Sequence, residues 1–417
     1  MLNPNTQQRE LAYVVAIDEI QPIKDYDRVE YARVGGWWVI VKKNQFKVGD
    51  LAIYIEVDAK VPAEEPFMFL ESKKFKVKTQ KMCKVISQGL LMHPHDFPNW
   101  DVCGKKMDGE TEWTNYIEDE KGNSLYVGDF VTEKLKITYA DAEDNIRKSP
   151  SADKYKKMAQ RNPKIFKTKI ARWMMNREWG KKFMFLLFGK KKDKKGGWPA
   201  GLFPGVSKTD QERCENMPWI LEDKTPYIVT QKCDGSSGTY ILEKKGRKYE
   251  FYVCSRNVRM MDENQECFHG SHNYYWEVAK KYDIKNKMKK WIESTPGATW
   301  VCWQGEICAP AIQKNPHKLT ETHFYCFHWT DNINGRLDVV AADKIWKEYD
   351  MEVVPIVDVN YILPDDFEQF KLSADGKYDA IVCEGNLDCN REGFVYYKTT
   401  DPTYSFKNVS REYLLNH

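Results

Sequence analysis

One short segment of the chain places a lysine and a carboxylate at a turn. Lys232, Asp234 and Gly235 form the pattern Lys-x-Asp-Gly, directly after the strand-like run YIVTQ. An unprotonated lysine amine is a nucleophile, and a carboxylate oxygen is a ligand that hard divalent cations prefer. The motif alone remains a hypothesis, because the same pattern is common in the turn of an ordinary β-hairpin.

Further charged and aromatic residues follow at or inside predicted strands. They are Arg256 in SRN, Glu306 in GE, Phe327 in FYCFHW, Glu392 in EGFVYYK and Lys407 in SFKNV. Each alone has an ordinary structural explanation, a surface ion pair for the charges and a core position for the aromatic ring. With the Lys-x-Asp-Gly segment, they supply a lysine, three carboxylates, an aromatic face and two further cations.

The order of these motifs resembles the covalent nucleotidyltransferase superfamily of polynucleotide ligases and RNA capping enzymes. The run at 20–50, SQGLLM at 87–92 and FPGVSKTDQER at 203–213 resemble more narrowly the ATP-dependent RNA ligases that place an OB domain before the catalytic domain. The similarity covers about 1–135 and 200–417. The stretch between them lies outside this resemblance.

The resemblance implies that Lys232 attacks the α-phosphorus of ATP and becomes a lysyl-AMP. Asp234, Glu306 and Glu392 are then the ligands of a Mg²⁺ or Mn²⁺ ion. Because the ordinary pKa of lysine is about 10.4, we expect the metal ion and neighbouring cations to lower the pKa of the nucleophile.

The resemblance also assigns the remaining nucleotide-binding residues. Phe327 stacks on adenine, Arg256 contacts the ribose region, Lys407 steadies the α-phosphate, and Gly235 belongs to the same set. The family more often has Glu where this chain has Gln231, whose amide oxygen accepts a hydrogen bond without carrying charge. The last motif commonly has two lysines, and Lys398 is the candidate for the second one.

The spacing of apolar residues predicts an α+β protein. Short runs rich in Val, Ile and aromatics (YVVAIDEI, RVEYARV, WWVIVKK, LAIYIEV) predict an OB-type β-barrel over 1–137, and a purely structural barrel is the alternative. A basic, helical linker or insertion is predicted over 138–200. Antiparallel strands with flanking helices are predicted over 201–417, the adenylyltransferase domain.

Composition narrows the class of protein. The chain has 417 residues, of which 42% are hydrophobic, so a mostly disordered protein is excluded. Eleven cysteines without a Cys-x-x-Cys pair argue against a disulfide framework and a structural zinc site. The start of the chain resembles no signal peptide, and no apolar run is long enough to span a membrane, so we expect a soluble, cytoplasmic protein.

The net charge of +3 conceals a local excess of positive charge. Residues 151–195 contain 16 Lys or Arg and 3 Asp or Glu. A basic block of this kind indicates a polyanion partner or a solvated surface helix. With the resemblance, the expected partner is a nicked RNA or RNA/DNA duplex, and neither a membrane nor a protein partner is expected.

Three functions remain open from the sequence. The first is an RNA ligase that joins 3′-hydroxyl and 5′-phosphate ends at nicks. The second is a DNA ligase or a capping-type enzyme, which is disfavoured because those enzymes carry an OB domain after the last lysine motif and only ten residues follow Lys407. The third is a non-catalytic RNA-binding protein with an inactive nucleotidyltransferase fold.

Overall fold

The computed structural model describes residues 1, 3, 9–106, 113–139, 203, 205–256, 259–260, 263, 272–378 and 388–416. Apart from Thr138 and Tyr139, the predicted basic helical segment lies outside these ranges, as does most of the predicted strand YDAIVCEG. None of the helices in the described ranges has the length and apolar character needed to cross a bilayer.

The N-terminal domain is built from short strands, as predicted. They are β1 (Ala12–Ala16), β2 (Glu19–Ile23), β3 (Tyr26–Val34), β4 (Trp37–Lys42), β5 (Leu51–Ile55), β6 (Ala59–Lys60), β7 (Gln80–Met82), β8 (Val85–Ser87), β9 (Leu90–Met92), β10 (Asp101–Lys106), β11 (Trp113–Glu118), β12 (Ser124–Leu125) and β13 (Thr138–Tyr139). They pair as β1-β5-β9, β2-β3-β4, β10-β11-β12, β7-β8 and β6-β13. Thr138 and Tyr139 therefore continue the N-terminal domain and do not begin the predicted linker.

Strand β5 is the centre of this domain, because both of its faces are buried. Side chains of a strand alternate between two faces. Leu51, Ile53 and Ile55 enter one hydrophobic cluster, whereas Ala52 and Tyr54 enter a second one. The continuous apolar run LAIYI is explained by this position between two cores.

The C-terminal domain contains two larger sheets and several helices. Its strands are β14 (Glu212–Arg213), β15 (Tyr227–Gln231), β16 (Ser236–Lys245), β17 (Lys248–Ser255), β18 (Arg259–Met260), β19 (Trp300–Cys308), β20 (His323–Asp331), β21 (Gly335–Arg336), β22 (Ile356–Tyr361), β23 (Gly393–Lys398) and β24 (Asp401–Val409). Its helices are α1 (Tyr274–Lys281), α2 (Ile284–Ser294), α3 (Val339–Glu348), α4 (Phe367–Leu372) and α5 (Arg411–Asn416). The predicted α+β class is confirmed.

The two sheets have the strand orders β14-β24-β23-β15-β22 and β18-β17-β16-β19-β20-β21. Helices α1 and α2 pack on the second sheet, where Ala279, Met288 and Trp291 are buried as their helical spacing predicts. The sequence run NYYWEVAKKYDIKNKMKKWI at 273–292 has near-helical spacing of its apolar residues and predicts a single helix. The structure has two, because Asp283 between them has a positive φ of 48°.

The Lys-x-Asp-Gly segment connects these two sheets. Gln231 ends β15 in the first sheet, and Ser236 begins β16 in the second. The segment is therefore a crossing between sheets and not the turn of a hairpin, since the strands on either side do not pair with each other. Lys232 lies at the junction of the two sheets as a result.

Polar contacts join the N-terminal and C-terminal domains around Asn216. Its side-chain oxygen accepts hydrogen bonds from the Trp37 indole at 2.6 Å and from the Tyr13 hydroxyl at 2.9 Å. Its side-chain nitrogen donates to Glu56 at 2.9 Å and to Glu212 at 2.7 Å. Asn216 thus fills its hydrogen-bonding capacity inside a contact that excludes water.

In a second contact, the backbone of the N-terminal domain at Gly36 packs directly against the backbone of the C-terminal domain at Glu215. The Gly36 N–H donates to the carbonyl of Glu215 at 2.7 Å. A β-carbon on Gly36 would lie 2.6 Å from the Glu215 Cα, so a side chain cannot be accommodated there. The orientation of the N-terminal domain on the C-terminal domain is therefore fixed by close contact and by saturated hydrogen bonds.

Replacing Asn216 by Ala tests this contact. The variant leaves the Trp37 indole, the Tyr13 hydroxyl and the Glu56 carboxylate each short of one buried partner. We expect the free energy of unfolding, measured by urea denaturation, to fall by about 2–3 kcal/mol. The same change at Asn360, which is exposed on β22, should cost less than about 0.5 kcal/mol. Equal reductions in the two variants would contradict the role of Asn216.

Candidate active site

The backbone of Lys232 is held from both sides. Its N–H donates to the carbonyl of Gly393 at 2.9 Å, and its carbonyl accepts from the Tyr378 hydroxyl at 2.9 Å. Its side-chain nitrogen lies 2.7 Å from Glu392 Oε2, and the Lys232 side chain remains 23% exposed. The side chain is therefore held in a defined position and is partly exposed to solvent.

The pKa of the Lys232 ammonium is set by two opposed effects. Burial lowers this pKa, because desolvation penalises the charged form. The negative charges of Glu392, Glu306 and Asp234 outweigh burial, and the net pKa lies above its ordinary value. The sequence led us to expect that neighbouring groups lower the pKa of Lys232. The protein side chains alone do not lower this pKa, because the nearest charges are carboxylates.

Glu306 is the carboxylate most affected by its surroundings. It lies in β19, in register with Ser237 of β16, and its pKa is raised to about 8. Burial is the main cause, and the charges of Glu392 and Asp234 add to it. Glu392 and Asp234 are therefore close enough to disfavour the ionisation of Glu306.

Asp234 is held by the C-terminal helix. Its Oδ2 accepts a hydrogen bond from the Tyr413 hydroxyl of α5 at 2.5 Å, and its carbonyl accepts from the ring of His317 at 3.1 Å. Among the described residues, no three His, Cys, Asp or Glu side chains converge as ligands of one ion. Asp234, Glu306 and Glu392 share one electrostatic neighbourhood but do not form a preassembled metal site.

Two glycines permit the close packing around the lysine. A β-carbon on Gly235 would lie 2.4 Å from the carbonyl oxygen of Ile307, so the turn passes directly against β19. Gly393 has a positive φ of 140°, and a β-carbon there would lie 2.1 Å from the Asn408 oxygen. The glycines of Lys-x-Asp-Gly and of EGFV are thus required by the backbone.

Phe327 is the extra residue of a β-bulge between β19 and β20. The register passes from Gln304 opposite His328 to Gly305 opposite Cys326, which leaves Phe327 without an opposite residue. A bulge of this kind re-aims a side chain. The half-buried Phe327 packs on the hydrophobic cluster that includes Cys233, the residue after the lysine.

Gln231 and Arg256 lie in the same region as the lysine and its carboxylates. Gln231 is 4% exposed at the end of β15, directly before Lys232. Arg256 donates hydrogen bonds to Asp210 from Nε, at 3.0 Å, and from Nη2. The Arg256 guanidinium also lies 5.9 Å from the centre of the Tyr139 ring, which belongs to the N-terminal domain.

Lys407 is 9% exposed in β24, in register with Arg213 of β14. Its pKa is lowered to about 7, mainly by burial and then by the charge of Arg9, with a further contribution from Arg213. Arg9 belongs to the N-terminal domain, so both domains contribute positive charge around this lysine.

The structure places Lys398 away from the other predicted residues. Lys398 is opposite Tyr227 at the start of β15, whereas the Lys-x-Asp-Gly segment follows the other end of that strand. Its side-chain nitrogen lies 2.6 Å from Asp223. The structure therefore does not bring Lys398 beside the other predicted residues, because four residues of strand, about 14 Å, separate its position from the end of β15.

Several residues of the site were not singled out from the sequence. Asp210 lies in the quoted run FPGVSKTDQER, which could have identified it, but Tyr378 and Tyr413 carry no signal of their own. Arg9 and Tyr139 lie far from the motifs in the chain. They reach Lys407 and Arg256 only because the two domains pack together.

Comparisons with known proteins agree with the division into an N-terminal and a C-terminal domain. A family model described as an OB-fold domain matches residues 11–94, and a family model described as RNA ligase matches residues 225–410. A search of curated protein sequences gives no match.

Solved structures of the Naegleria gruberi RNA ligase are similar to the whole chain. An apo form of a mutant is 26% identical with a TM-score of 0.67, and covers 98% of each chain. A mutant with ATP and Mn is 25% identical with a TM-score of 0.66, and the match covers 98% of this chain and 99% of that one. Both domains and their order correspond, and the findings together support an ATP-dependent RNA ligase that carries an OB domain before the nucleotidyltransferase domain.

Proposed function

We propose that the protein joins a 3′-hydroxyl to a 5′-phosphate at nicks in duplexes that contain RNA, through a lysyl-AMP on Lys232. The observation that supports this most is the position of the Lys232 amine, which lies 2.7 Å from Glu392 where the chain crosses between the two sheets. The Naegleria enzyme has been solved with ATP and Mn, with AMP and Mn, and with PPi. These complexes support ATP as the nucleotide for this chain as well.

The proposed reaction has three steps. The Lys232 amine attacks the α-phosphorus of ATP, a P–N bond forms, the bond to the β-phosphate oxygen breaks, and pyrophosphate leaves while the ammonium proton is released. An oxygen of the 5′-phosphate end then attacks the same phosphorus and breaks the P–N bond, which regenerates the lysine. Finally the 3′-hydroxyl attacks the 5′-phosphate, the phosphodiester forms, and AMP leaves.

Each remaining residue of the site has a role in the first step. We assign adenine stacking to Phe327 and the adenine edge to Gln231, whose amide offers an acceptor. Arg256 contacts the ribose and Lys407 steadies the α-phosphate. The burial of Gln231 and Lys407 strengthens these contacts, because electrostatic interactions are less screened away from water.

Asp234, Glu306 and Glu392 would hold a Mg²⁺ or Mn²⁺ ion. The side chains fit such an ion, since they offer hard oxygen ligands, and the charges of Glu392 and Asp234 add to the burial that raises the pKa of Glu306. When bound, the ion supplies positive charge at the α-phosphate and among the carboxylates. The same carboxylates that keep Lys232 protonated would then no longer do so.

The nucleic acid is proposed to lie on the OB domain. Barrels of this type bind oligonucleotides on one face. The basic segment 151–195 lies outside the described residues, and its part in binding stays a prediction from its charge.

Replacing Lys232 by Ala should abolish the covalent adduct formed with ATP labelled at the α-phosphorus. Arg and Met should fail as well, because neither supplies a neutral amine. Lys398→Ala is the matched control. It should keep the adduct, because Lys398 lies at the opposite end of β15 in an ion pair with Asp223. A stable adduct on the Lys232→Ala protein would overturn the assignment.

Replacing Glu306 or Glu392 by Ala should slow adduct formation about a hundredfold or more, which corresponds to roughly 3 kcal/mol. Glu243→Ala should be nearly neutral, since the Glu243 side chain contacts Tyr252 and Lys245 in the second sheet and lies outside the proposed site. The rates should be compared across a titration with Mn²⁺. If all three variants respond to the metal as the unchanged protein does, the proposed ligands are wrong.

The pKa of Lys407, about 7, predicts a pH dependence of ATP binding. Below this pKa the free protein already carries the cation that a phosphate favours. Above it, binding must take up a proton, so the affinity falls as the pH rises, by up to about tenfold for each pH unit. An analogue with a methylene group between the α- and β-phosphorus, titrated by calorimetry, measures binding without reaction.

Lys407→Arg should remove this decrease in affinity, because Arg stays charged throughout the range. Glu306 titrates in both proteins, so the difference between the two profiles isolates Lys407. Parallel profiles between about pH 6 and pH 9 would exclude a Lys407 that titrates against the phosphate.

A further inference from the structure

The N-terminal domain carries a second concentration of positive charge, apart from the basic segment at 151–195. Residues 72–95 contain six lysines and no Asp or Glu. We call the lysines Lys73, Lys74, Lys76, Lys78, Lys81 and Lys84 the lysine ribbon. All of them are exposed except Lys76, which is half-buried.

The first part of the ribbon is fixed to the barrel through its backbone. The Val77 N–H donates to the Ala59 carbonyl at 2.8 Å, and the Val77 carbonyl accepts from the Asp58 N–H at 2.9 Å. The Val77 side chain is 3% exposed. Because side chains alternate along an extended segment, the neighbours of Val77, Lys76 and Lys78, point away from the core.

The second part of the ribbon lies on the hairpin formed by β7 and β8. The hairpin rests on β4, where Gln88 N–H donates to the Trp38 carbonyl at 2.9 Å and Ile40 N–H donates to the Ser87 hydroxyl at 3.0 Å. Lys84 at its tip forms an ion pair with Asp25 at 3.1 Å. The lysines are thus presented on an ordered surface, which lowers the entropic cost of binding an extended polyanion.

The ribbon begins close to the nucleotide site. Lys76 forms an isolated antiparallel β-bridge with Lys60 of β6. Strand β6 pairs with β13, and the Tyr139 ring of β13 lies 5.9 Å from the Arg256 guanidinium. Asp58, just before β6, accepts a hydrogen bond from Arg213 at 2.9 Å. Two strand spacings, about 10 Å, therefore separate Lys76 of the ribbon from β13, the strand that contacts Arg256.

We propose that the lysine ribbon binds the phosphate backbone of the nicked duplex on one side of the break. This inference rests on the proposed function, since it is the reaction at the break that places a duplex beside the site. The proposed role of the ribbon is to bind the nucleic acid. None of its lysines is among the residues that are proposed to bind ATP. Neutralising it therefore affects the nucleic acid and leaves the reaction with ATP unchanged.

The test replaces Lys73, Lys74, Lys78 and Lys81 by Gln in the full chain. Binding to a labelled nicked duplex is measured by fluorescence anisotropy without ATP, over a series of salt concentrations. The plot of log affinity against log salt should become shallower by about 0.9 for each phosphate that the variant no longer neutralises. The rate of adduct formation with ATP should equal that of the unchanged protein.

A matched control removes the same charge elsewhere. Lys244, Lys248, Lys285 and Lys344 are exposed on the C-terminal domain, and their replacement by Gln should leave the salt slope as it is. If the ribbon variant and the control variant have the same slope, the ribbon is not a binding surface for the duplex and the inference is wrong. Failure of the unchanged protein to form the ATP adduct would instead count against the ligase proposal, because the anisotropy measurement does not depend on catalysis.

Discussion

The electrostatics of the candidate active site depend on the Lys232 amine, which is held among carboxylates at the junction of two sheets. Burial alone would favour the neutral amine, but the charges of Glu392, Glu306 and Asp234 reverse this preference. An arrangement of this kind would keep the proposed nucleophile protonated until positive charge enters the cluster. The same positive charge would offset the repulsion that, together with burial, raises the pKa of Glu306. Entry of this charge would therefore favour both a neutral Lys232 amine and an ionised Glu306, as the proposed reaction requires.

The packing of the two domains extends this site beyond the catalytic domain. Arg213 lies in register with Lys407 and reaches across the contact to Asp58 of the OB domain. Arg9 lowers the pKa of the same lysine from the OB side. The hydrogen bonds of Asn216 and the close approach at Gly36 fix these groups in one arrangement. The OB domain is therefore part of the electrostatic environment in which the nucleotide is proposed to bind.

The sequence predicts much of the fold because both domains consist of strands with clear apolar patterns. The strands β1, β3, β4 and β5 coincide with predicted runs, and the site residues Lys232, Glu306, Glu392 and Arg256 follow from motifs whose order is characteristic. The positive φ of Asp283, which divides the predicted helix, has no such pattern. The sequence also does not indicate that the chain crosses between sheets at the Lys-x-Asp-Gly segment. The same residue types occur in the turn of a hairpin, so the pattern does not distinguish the two.

Other features depend on contacts between distant parts of the chain. The protonation of Lys232 follows from how many carboxylates surround it, and the motifs indicate that these carboxylates exist without indicating their distances. Lys398 follows EGFV closely in the chain, yet the antiparallel register carries it to the far end of β15. Arg9 and Tyr139 join the site only through domain packing, so no local pattern could identify them.

The claim that Lys232 is the residue that carries AMP is tested most directly by mapping the adduct. The full chain is incubated with ATP and Mn²⁺, digested under conditions that preserve the P–N bond, and analysed by mass spectrometry. We predict that AMP is attached to the peptide that contains Lys232, at that lysine. Attachment at Lys407 or at any other residue, or the absence of an adduct in protein shown to be folded, would contradict the proposed mechanism.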